Sequence, residues 1–239
     1  MRYLTLCLIL LAAASPQQSS PVVVELFTSE GCSDCPPADD LLNSMAEHPT
    51  GNLTVIPMAF HVTYWDSDGW RDRFSDARFT QRQKDYQDAL HTQTLYTPQS
   101  VIDGNYETVG NNPNNVIALI RRAAAEPKPV TVELSSNGGS VSVAAHAQDS
   151  RASGRVLLAI TEDGLSTEVN AGENRSRTLH HNAVVRSLEE VGKLKDGAFS
   201  RNIRVKVGKD WQPGKLHAVV LVQDRNDRIL GAGTAELQR

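Results

Sequence analysis

Two cysteines, Cys32 and Cys35, stand three positions apart in the stretch ELFTSEGCSDCPPAD. With this spacing, one thiolate can attack a partner's disulfide and the second thiol can displace the product, because both sulfurs lie within bonding reach at a helix start. The spacing also fits a static disulfide or a two-thiolate site for a soft ion such as copper(I). A tetrahedral zinc site is disfavoured because the sequence holds no second cysteine pair.

The residues on either side of this pair predict that it lies at the tip of a loop. The apolar, β-branched run from Val22 to Phe27 predicts a buried strand, and residues 29–31 predict the turn that ends it. Pro36 and Pro37 favour the first turn of a helix, where a missing backbone N–H group costs nothing. Because unpaired N–H groups and the dipole at a helix start favour a thiolate, Cys32 is predicted to be the more reactive thiol.

This arrangement of strand, C-x-x-C pair and helix resembles the active site of the thioredoxin superfamily. The letters ELFTSEGCSDCPPAD further resemble a family of secreted thioredoxin-like proteins of unknown function, and the resemblance runs through most of the chain. It implies dithiol–disulfide exchange in which Cys32 attacks a partner and Cys35 resolves the product. It also implies that the two cysteines form a disulfide when the protein is oxidised.

Three further site residues follow from the same resemblance. Thr97–Pro98 stands where proteins resembling thioredoxin carry a cis-proline beside the cysteine pair, so the backbone of Thr97 is expected to pair with an extended substrate. The alternative is an ordinary trans proline that opens an edge strand. Glu25 is the candidate proton shuttle, although its gap to Cys32 is one residue longer than in the familiar pattern. The alternative for Glu25 is a strand-end glutamate with its carboxylate in solvent.

The loop covering residues 61–74 combines aromatic and acidic side chains. Tyr64 and Trp65 are expected to cover the active site and bind substrate, while the acids of the loop remain in water. No metal is assigned to the chain. The alternative is a metal site with three ligands from this loop, namely His61, Asp66 and Asp68.

The amino terminus, residues 1–20, has one basic residue and an apolar core followed by small residues, which is typical of a secretory signal. We therefore expect a secreted or periplasmic protein without a membrane span once the signal is removed. Cys7 lies within the signal, so Cys32 and Cys35 are the only thiols of the mature chain. That chain carries 23 basic and 28 acidic residues, a balance that argues against nucleic acid as a partner.

Hydrophobic periodicity divides the mature chain into two predicted parts. Residues 21–126 have the element order β-α-β-α-β-β-α and predict an α/β thioredoxin-like domain. Glu126 to Pro129 predict a stiff connector, and residues 130–239 predict an all-β sandwich-like domain of short strands. A polar stretch of this second part, GENRSRTLHHNAVVRSLEEVGKLKDG, has no assigned element. Its two histidines, His180 and His181, are expected to be solvated or hydrogen-bonded.

These observations predict an exported thiol–disulfide oxidoreductase that acts on protein thiols or disulfides without a cofactor. The alternative is a non-catalytic binding module or a copper(I) carrier that uses the same two cysteines. A structural protein with an inert disulfide is the third hypothesis.

Overall fold

The computed structural model describes residues 20–48, 53–67 and 69–238. Except for Ser20, the predicted signal therefore lies outside the described residues, as does Cys7. Within the described ranges, no helix is both long and apolar enough to cross a membrane. The elements are β1 (Val22–Thr28), α1 (Pro36–Glu47), β2 (Val55–His61), α2 (Ala77–Leu90), β3 (Gln99–Ile102), β4 (Tyr106–Val109), α3 (Pro113–Ala124), β5 (Val130–Asn137), β6 (Ser140–Ala147), β7 (Gly154–Glu162), β8 (Leu165–Glu168), β9 (Thr178–His181), β10 (Val184–Leu194), β11 (Ala198–Arg204), β12 (Leu216–Gln223) and β13 (Ile229–Glu236).

The predicted order of the first seven elements is confirmed. β1 lies parallel to β2 and antiparallel to β3, which forms a hairpin with β4. Helix α1 begins at a proline. The side chains of Asp76 and Asn112 cap α2 and α3, because each accepts a hydrogen bond from a backbone N–H group in the first turn. In the hairpin turn, Asp103 and Gly104 both adopt positive φ angles, as the Asp-Gly pair predicts.

The expected fold class, an α/β thioredoxin-like domain followed by an all-β sandwich-like domain, is wrong. The described chain is mostly β, and one mixed sheet of eight strands includes both halves, in the order β13-β12-β7-β10-β2-β1-β3-β4. β10 joins the halves by lying parallel to β2, where Val184 is opposite Ala59 and the Ala59 N–H donates to the Ala183 carbonyl at 2.8 Å. Most of β2 is buried, so its outer edge needs a neighbouring strand, and local periodicity does not encode which distant strand supplies it.

The two halves also meet at the Asp103–Gly104 turn. The Ile229 N–H donates to the Asp103 carbonyl at 2.9 Å, and a Cβ atom at Gly104 would clash with the Asp227 carbonyl oxygen. Glycine is therefore required here both by the backbone angle and by the close approach of the β12–β13 turn. The division predicted at residues 126–130 stays a prediction, which the folding of a fragment ending at Glu126 would test.

Smaller sheets complete the second half of the chain. The three-stranded sheet β11-β6-β5 shares an apolar cluster with β7 and β12 of the large sheet. β8 and β9 form a two-stranded ribbon beside α1, where the Asn43 amide donates to the His180 carbonyl at 2.8 Å. The stretch without an assigned element thus contains β9 and the eleven-residue strand β10.

Side chains alternate between the two faces of β1, as they do in any strand. Val24 packs with residues of α1 and α3, whereas Val23 and Phe27 pack with residues of α2. Glu25 therefore points to the α2 face and Thr28 to the α1 face, which agrees with their hydrogen bonds to Tyr86 and Asp39. This alternation decides which polar groups lie on the same side as the cysteine pair.

Candidate functional site

Cys32 and Cys35 lie at disulfide-bonding distance, with Cα atoms 5.4 Å apart, in the turn between β1 and α1. Cys35 is the N-cap residue of α1, and its N–H donates to the Cys32 carbonyl at 3.3 Å. Pro36 and Pro37 follow, so the first turn of the helix has fewer N–H groups to offer a thiolate than most helices have. Only 1% of Cys32 and none of Cys35 is exposed, so both cysteines are covered in this state.

The predicted substrate-binding residues lie close to this turn. The Thr97–Pro98 peptide bond is cis, which confirms that prediction. The indole N–H of Trp65 donates to the Thr97 hydroxyl at 2.7 Å, and a Cβ at Gly31 would approach the Trp65 carbonyl oxygen to 2.7 Å. Tyr64 is 41% exposed and belongs to the same loop. The structure therefore brings Trp65 and Thr97 together beside the turn that carries the cysteines.

Glu25 is buried on the α2 face of β1, and both of its carboxylate oxygens accept hydrogen bonds. Its two carboxylate oxygens accept hydrogen bonds from the Arg82 guanidinium at 2.5 and 2.8 Å and from the Tyr86 hydroxyl at 2.6 Å. The alternative of a solvent-exposed strand-end glutamate is therefore wrong. Burial lowers the pKa of Arg82, but the charge and hydrogen bond of Glu25, together with Tyr86 and Asp227, outweigh it and leave that pKa raised. The role of Glu25 as proton shuttle stays a prediction.

A second buried carboxyl group, Asp39, lies on the α1 face. It follows Cys35 by one helical turn, and its N–H donates to the Cys35 carbonyl at 3.0 Å. The hydroxyl of Thr28 donates to Asp39 Oδ1 at 2.8 Å. Burial raises the pKa of Asp39, and the nearby histidines His181 and His61 oppose this effect without cancelling it. Asp39 is thus a carboxyl group that holds its proton more strongly than an exposed aspartate does.

His61 and Asp72 form a buried pair next to Asp39. The ring Nδ1 of His61 lies 2.7 Å from Asp72 Oδ2, and the Asp72 carboxylate also accepts the N–H groups of Glu30 at 2.8 Å and Phe74 at 2.9 Å. Burial lowers the pKa of His61, but the charge and hydrogen bond of Asp72 outweigh it, so that pKa is raised. Burial has the opposite effect on Asp72 and raises its pKa, but His61 and the backbone N–H donors lower that pKa by more, so the net shift is downward.

Glu30 and His181 complete this group of polar side chains, and both are buried. His181 Nε2 lies 3.4 Å from Glu30 Oε1, and the His61 and His181 rings stack edge to face with centroids 5.0 Å apart. Within the described residues, both Glu30 oxygens and the Nε2 atoms of the two histidines lack a hydrogen-bond partner. We call these five residues the α1-face cluster: Glu30, Asp39, His61, Asp72 and His181.

Several expectations about this region are corrected by the cluster. Asp72 is buried, whereas the acids of residues 61–74 were expected in water. His180 is exposed, as expected, whereas His181 is buried and its Nε2 has no hydrogen-bond partner among the described residues. Asp66 accepts hydrogen bonds from the Asp72 N–H and the Ser75 hydroxyl, and Asp68 lies outside the described residues. Among the residues that the structure describes, no three His, Cys, Asp or Glu side chains are grouped to hold a metal ion.

The loop between β8 and β9, residues 169–177, reaches the cysteine turn from the second half of the chain. The buried amide of Asn174 donates to the carbonyl oxygens of Glu30 at 2.9 Å and Cys32 at 2.8 Å. The carboxylate of Glu173 accepts the Ser33 N–H at 2.9 Å. Hydrogen bonding from Ser33 holds the pKa of Glu173 below its ordinary value. The backbone on both sides of Cys32 is therefore held by a segment about 140 residues away in sequence.

Sequence reasoning missed most of these contacts. Asp39 had a local signal, because it stands four positions after Cys35 in a helix and so shares its face. His181 and Asn174 had no such local signal in the sequence. A polar residue in a polar stretch predicts solvent exposure and not burial against a distant turn.

Comparisons with known proteins show the fold and the family. A protein of Agrobacterium tumefaciens, AGR_C_4864, has a crystal structure that matches with 24% identity and a TM-score of 0.73, covering 93% of this chain and 98% of that one. The structure of HBP35 of Porphyromonas gingivalis matches with 15% identity and a TM-score of 0.71, covering 93% of this chain and 77% of that one. The comparison with curated proteins gave no match. A family model described as "Protein of unknown function (DUF1223)" matches residues 23–223, and the chain therefore belongs to this family.

Proposed function

We propose that this chain is an exported thiol–disulfide oxidoreductase that exchanges a dithiol and a disulfide with protein partners through Cys32 and Cys35. The observation that carries the proposal is the cysteine pair itself, held at disulfide-bonding distance at the start of α1 and backed by a buried carboxyl group one turn along. A disulfide that served only as a staple would need no ionisable cluster behind it. Burying such groups costs free energy, which makes them markers of a functional site.

The bonds, electrons and protons of the exchange balance between this protein and its partner. In the reduced protein, the Cys32 thiolate attacks one sulfur of a partner disulfide, which forms a mixed disulfide and releases the other partner sulfur as a thiolate. The Cys35 thiol then loses its proton and attacks Cys32 Sγ, which forms the Cys32–Cys35 disulfide and releases the second partner sulfur. Two electrons pass to the partner, and the proton lost by Cys35 is available to one of its thiolates.

Asp39 is the group we assign to the second step. Cβ atoms four positions apart on a helix lie about 5 to 6 Å from each other, so Asp39 and the resolving Cys35 lie on the same side of the first turn of α1. A carboxylate with a raised pKa is a stronger base than an exposed one, which suits it to accept the Cys35 proton. Glu25 already accepts three hydrogen bonds, two of them from a guanidinium, and it faces away from α1. We therefore propose Asp39 as the group that accepts this proton, a role that the sequence analysis predicted for Glu25.

The surroundings of the turn suit a protein partner. Tyr64 offers an exposed aromatic ring, and Trp65 and Thr97 lie beside the cysteines. Aromatic side chains at the edge of a site contribute apolar contact to an extended peptide while their polar atoms remain satisfied. This loop is the surface that we assign to partner binding.

Trapping of partners tests the proposal. Cys35→Ser removes the resolving thiol and leaves Cys32 able to attack, so an exported extract should yield mixed disulfides on non-reducing gels. Cys32→Ser is the matched control and should yield none. If Cys35→Ser accumulates no partner, the exchange function is wrong. A copper(I) titration of the reduced wild-type protein then decides whether the pair is a carrier site or an inert staple.

A further inference from the structure

A segment that neither belongs to the cysteine turn nor adjoins it in sequence is hydrogen-bonded to that turn in this structure. Cys32 is 1% exposed, yet exchange requires an incoming sulfur to reach the disulfide in line with the S–S bond. Some part of the covering structure must therefore move before any partner reacts.

We propose that the loop of residues 169–177 is a latch that holds the cysteine turn closed and that must release before Cys32 can react. Three hydrogen bonds fasten it to the turn: two from the Asn174 amide to backbone carbonyls, and one from the Ser33 N–H to Glu173. The inference rests on the proposed exchange for its biological meaning, although the reactivity of the disulfide tests it independently.

The latch is built to move as a unit. Its two ends are tied together, because the Val169 N–H donates to the Arg177 carbonyl at 2.9 Å and the Ser176 N–H donates to the Val169 carbonyl at 2.8 Å. Residues 170–176 therefore form a closed tip beyond the β8–β9 ribbon. Opening it breaks its contacts with the turn without breaking the ribbon itself.

The tip also touches the aromatic loop that we assign to partner binding. Gly172 has a φ of 74°, and a Cβ there would lie 3.2 Å from the Trp70 Cβ. A partner that displaces this loop would also loosen the latch, so binding and exposure of Cys32 are coupled through one contact. The same tip places the carboxylate of Glu173 at the N–H of Ser33, the residue that follows Cys32 in the turn. A Cys32 thiolate would gain that donor only after Glu173 leaves.

Reduction of the oxidised full-length mature protein by dithiothreitol tests the latch. The rate should rise about tenfold in Asn174→Ala, because two hydrogen bonds to the turn are lost and the open state is more populated. Glu173→Ala should raise it about threefold, since one exposed hydrogen bond is lost. Arg175→Ala changes an exposed side chain of the same loop and is the matched control. Rates for Asn174→Ala and the control that agree within about twofold would overturn the latch.

A measurement on the wild-type protein covers the case in which Asn174→Ala fails to fold. The Ser33 amide hydrogen should exchange with solvent through a local opening, far faster than the Leu26 amide in the centre of the large sheet. Equal opening free energies for the two amides would mean that the turn opens only on global unfolding, and the latch would be wrong.

The outcomes separate the latch from the exchange function. If the Asn174→Ala protein reacts faster but Cys35→Ser still traps no partner, the latch stands and the proposed function fails. If partners are trapped while the variant and wild type react equally fast, the function stands and the latch fails.

Discussion

Strand β1 separates two buried polar groups that differ in how completely they are satisfied. On the α2 face, the Glu25 carboxylate, the Arg82 guanidinium, the Tyr86 hydroxyl and the Gln223 amide bond to one another. On the other face, the α1-face cluster leaves both Glu30 oxygens and two histidine nitrogens without partners. Both groups are buried in the same sheet, so burial alone does not explain the difference.

The two groups also differ in their charges, and this explains why one is fully hydrogen-bonded and the other is not. One carboxylate meets one guanidinium on the α2 face, so each charge of this buried pair has an opposite charge as its partner. The α1-face cluster holds three carboxyl groups and two imidazoles, and within it the pKa of Asp39 is raised by burial and that of His61 is raised, despite burial, by nearby carboxyl groups, chiefly Asp72. A fully hydrogen-bonded ion pair suits a structural role, whereas a buried cluster of ionisable side chains without full hydrogen bonding, beside a disulfide, suits a site where a thiol must gain and lose a proton.

The largest effect that this comparison predicts is on stability. Arg82→Leu leaves the Glu25 charge buried without its partner, so the free energy of unfolding should fall by about 3 to 5 kcal/mol in denaturant titrations. The double variant Glu25→Leu/Arg82→Leu is the control and should lose much less, since no unpaired charge remains. Dithiothreitol should reduce the disulfide of the folded variant at the wild-type rate. A changed reduction rate would mean that the α2 face of β1 also affects the disulfide, against the separate roles inferred for the two faces.

The next largest effect is on the rate at which Cys35 resolves a mixed disulfide. Asp39→Asn keeps an oxygen for the Thr28 hydroxyl but removes the base, so the resolution of a mixed disulfide by Cys35 should slow about a hundredfold near neutral pH. Rapid-quench analysis of a mixed disulfide on Cys32 measures this step. Asp40→Asn, on the exposed side of the same helix, is the control and should leave the rate unchanged. An unaffected rate in Asp39→Asn would remove Asp39 from the mechanism.

The pH dependence of stability distinguishes the two faces further. Because the folded-state pKa of His61 is raised above 6.5, its stabilisation is complete below that value and is lost as pH rises through the raised pKa. The stability advantage of wild type over His61→Gln should therefore be about 2 kcal/mol in mild acid and shrink in mild base. The corresponding difference for the double variant Glu25→Leu/Arg82→Leu, which leaves no unpaired buried carboxyl group, should stay flat over the same range. A flat difference for His61→Gln would mean that folding leaves the pKa of His61 unchanged, and an advantage that grows as pH rises would mean that the buried imidazole stays neutral.

The smallest effect concerns a single hydroxyl group. Tyr86→Phe removes the hydrogen bond to Glu25 but leaves the Arg82 pair, so the free energy of unfolding should fall by about 1 kcal/mol. Tyr106→Phe removes a bond to Glu126 near the surface and should cost less, because water replaces that bond. Equal losses in the two variants would mean that burial adds nothing to the α2-face network.

Local patterns in the sequence determined the first half of the fold and the centre of the site. Periodicity and turn residues predicted the order of β1 to α3, and the cysteine spacing with two following prolines predicted a pair at a helix start. These features depend on neighbours within a few residues, so short-range rules describe them. The Asp-Gly turn is a further case, since its φ angles are set by two residues alone.

Only the tertiary structure decided which distant groups surround that pair. β10 joins the sheet beside β2, and Asn174 and His181 reach the cysteine turn because β8 and β9 are positioned by this joined sheet and by α1. The side of β1 on which an acid lies was decided in the same way, since the pleat sends Glu25 to α2 while Asp39 comes from α1. Pairing between strands more than 120 residues apart depends on the total burial of apolar surface, which no short window of sequence contains.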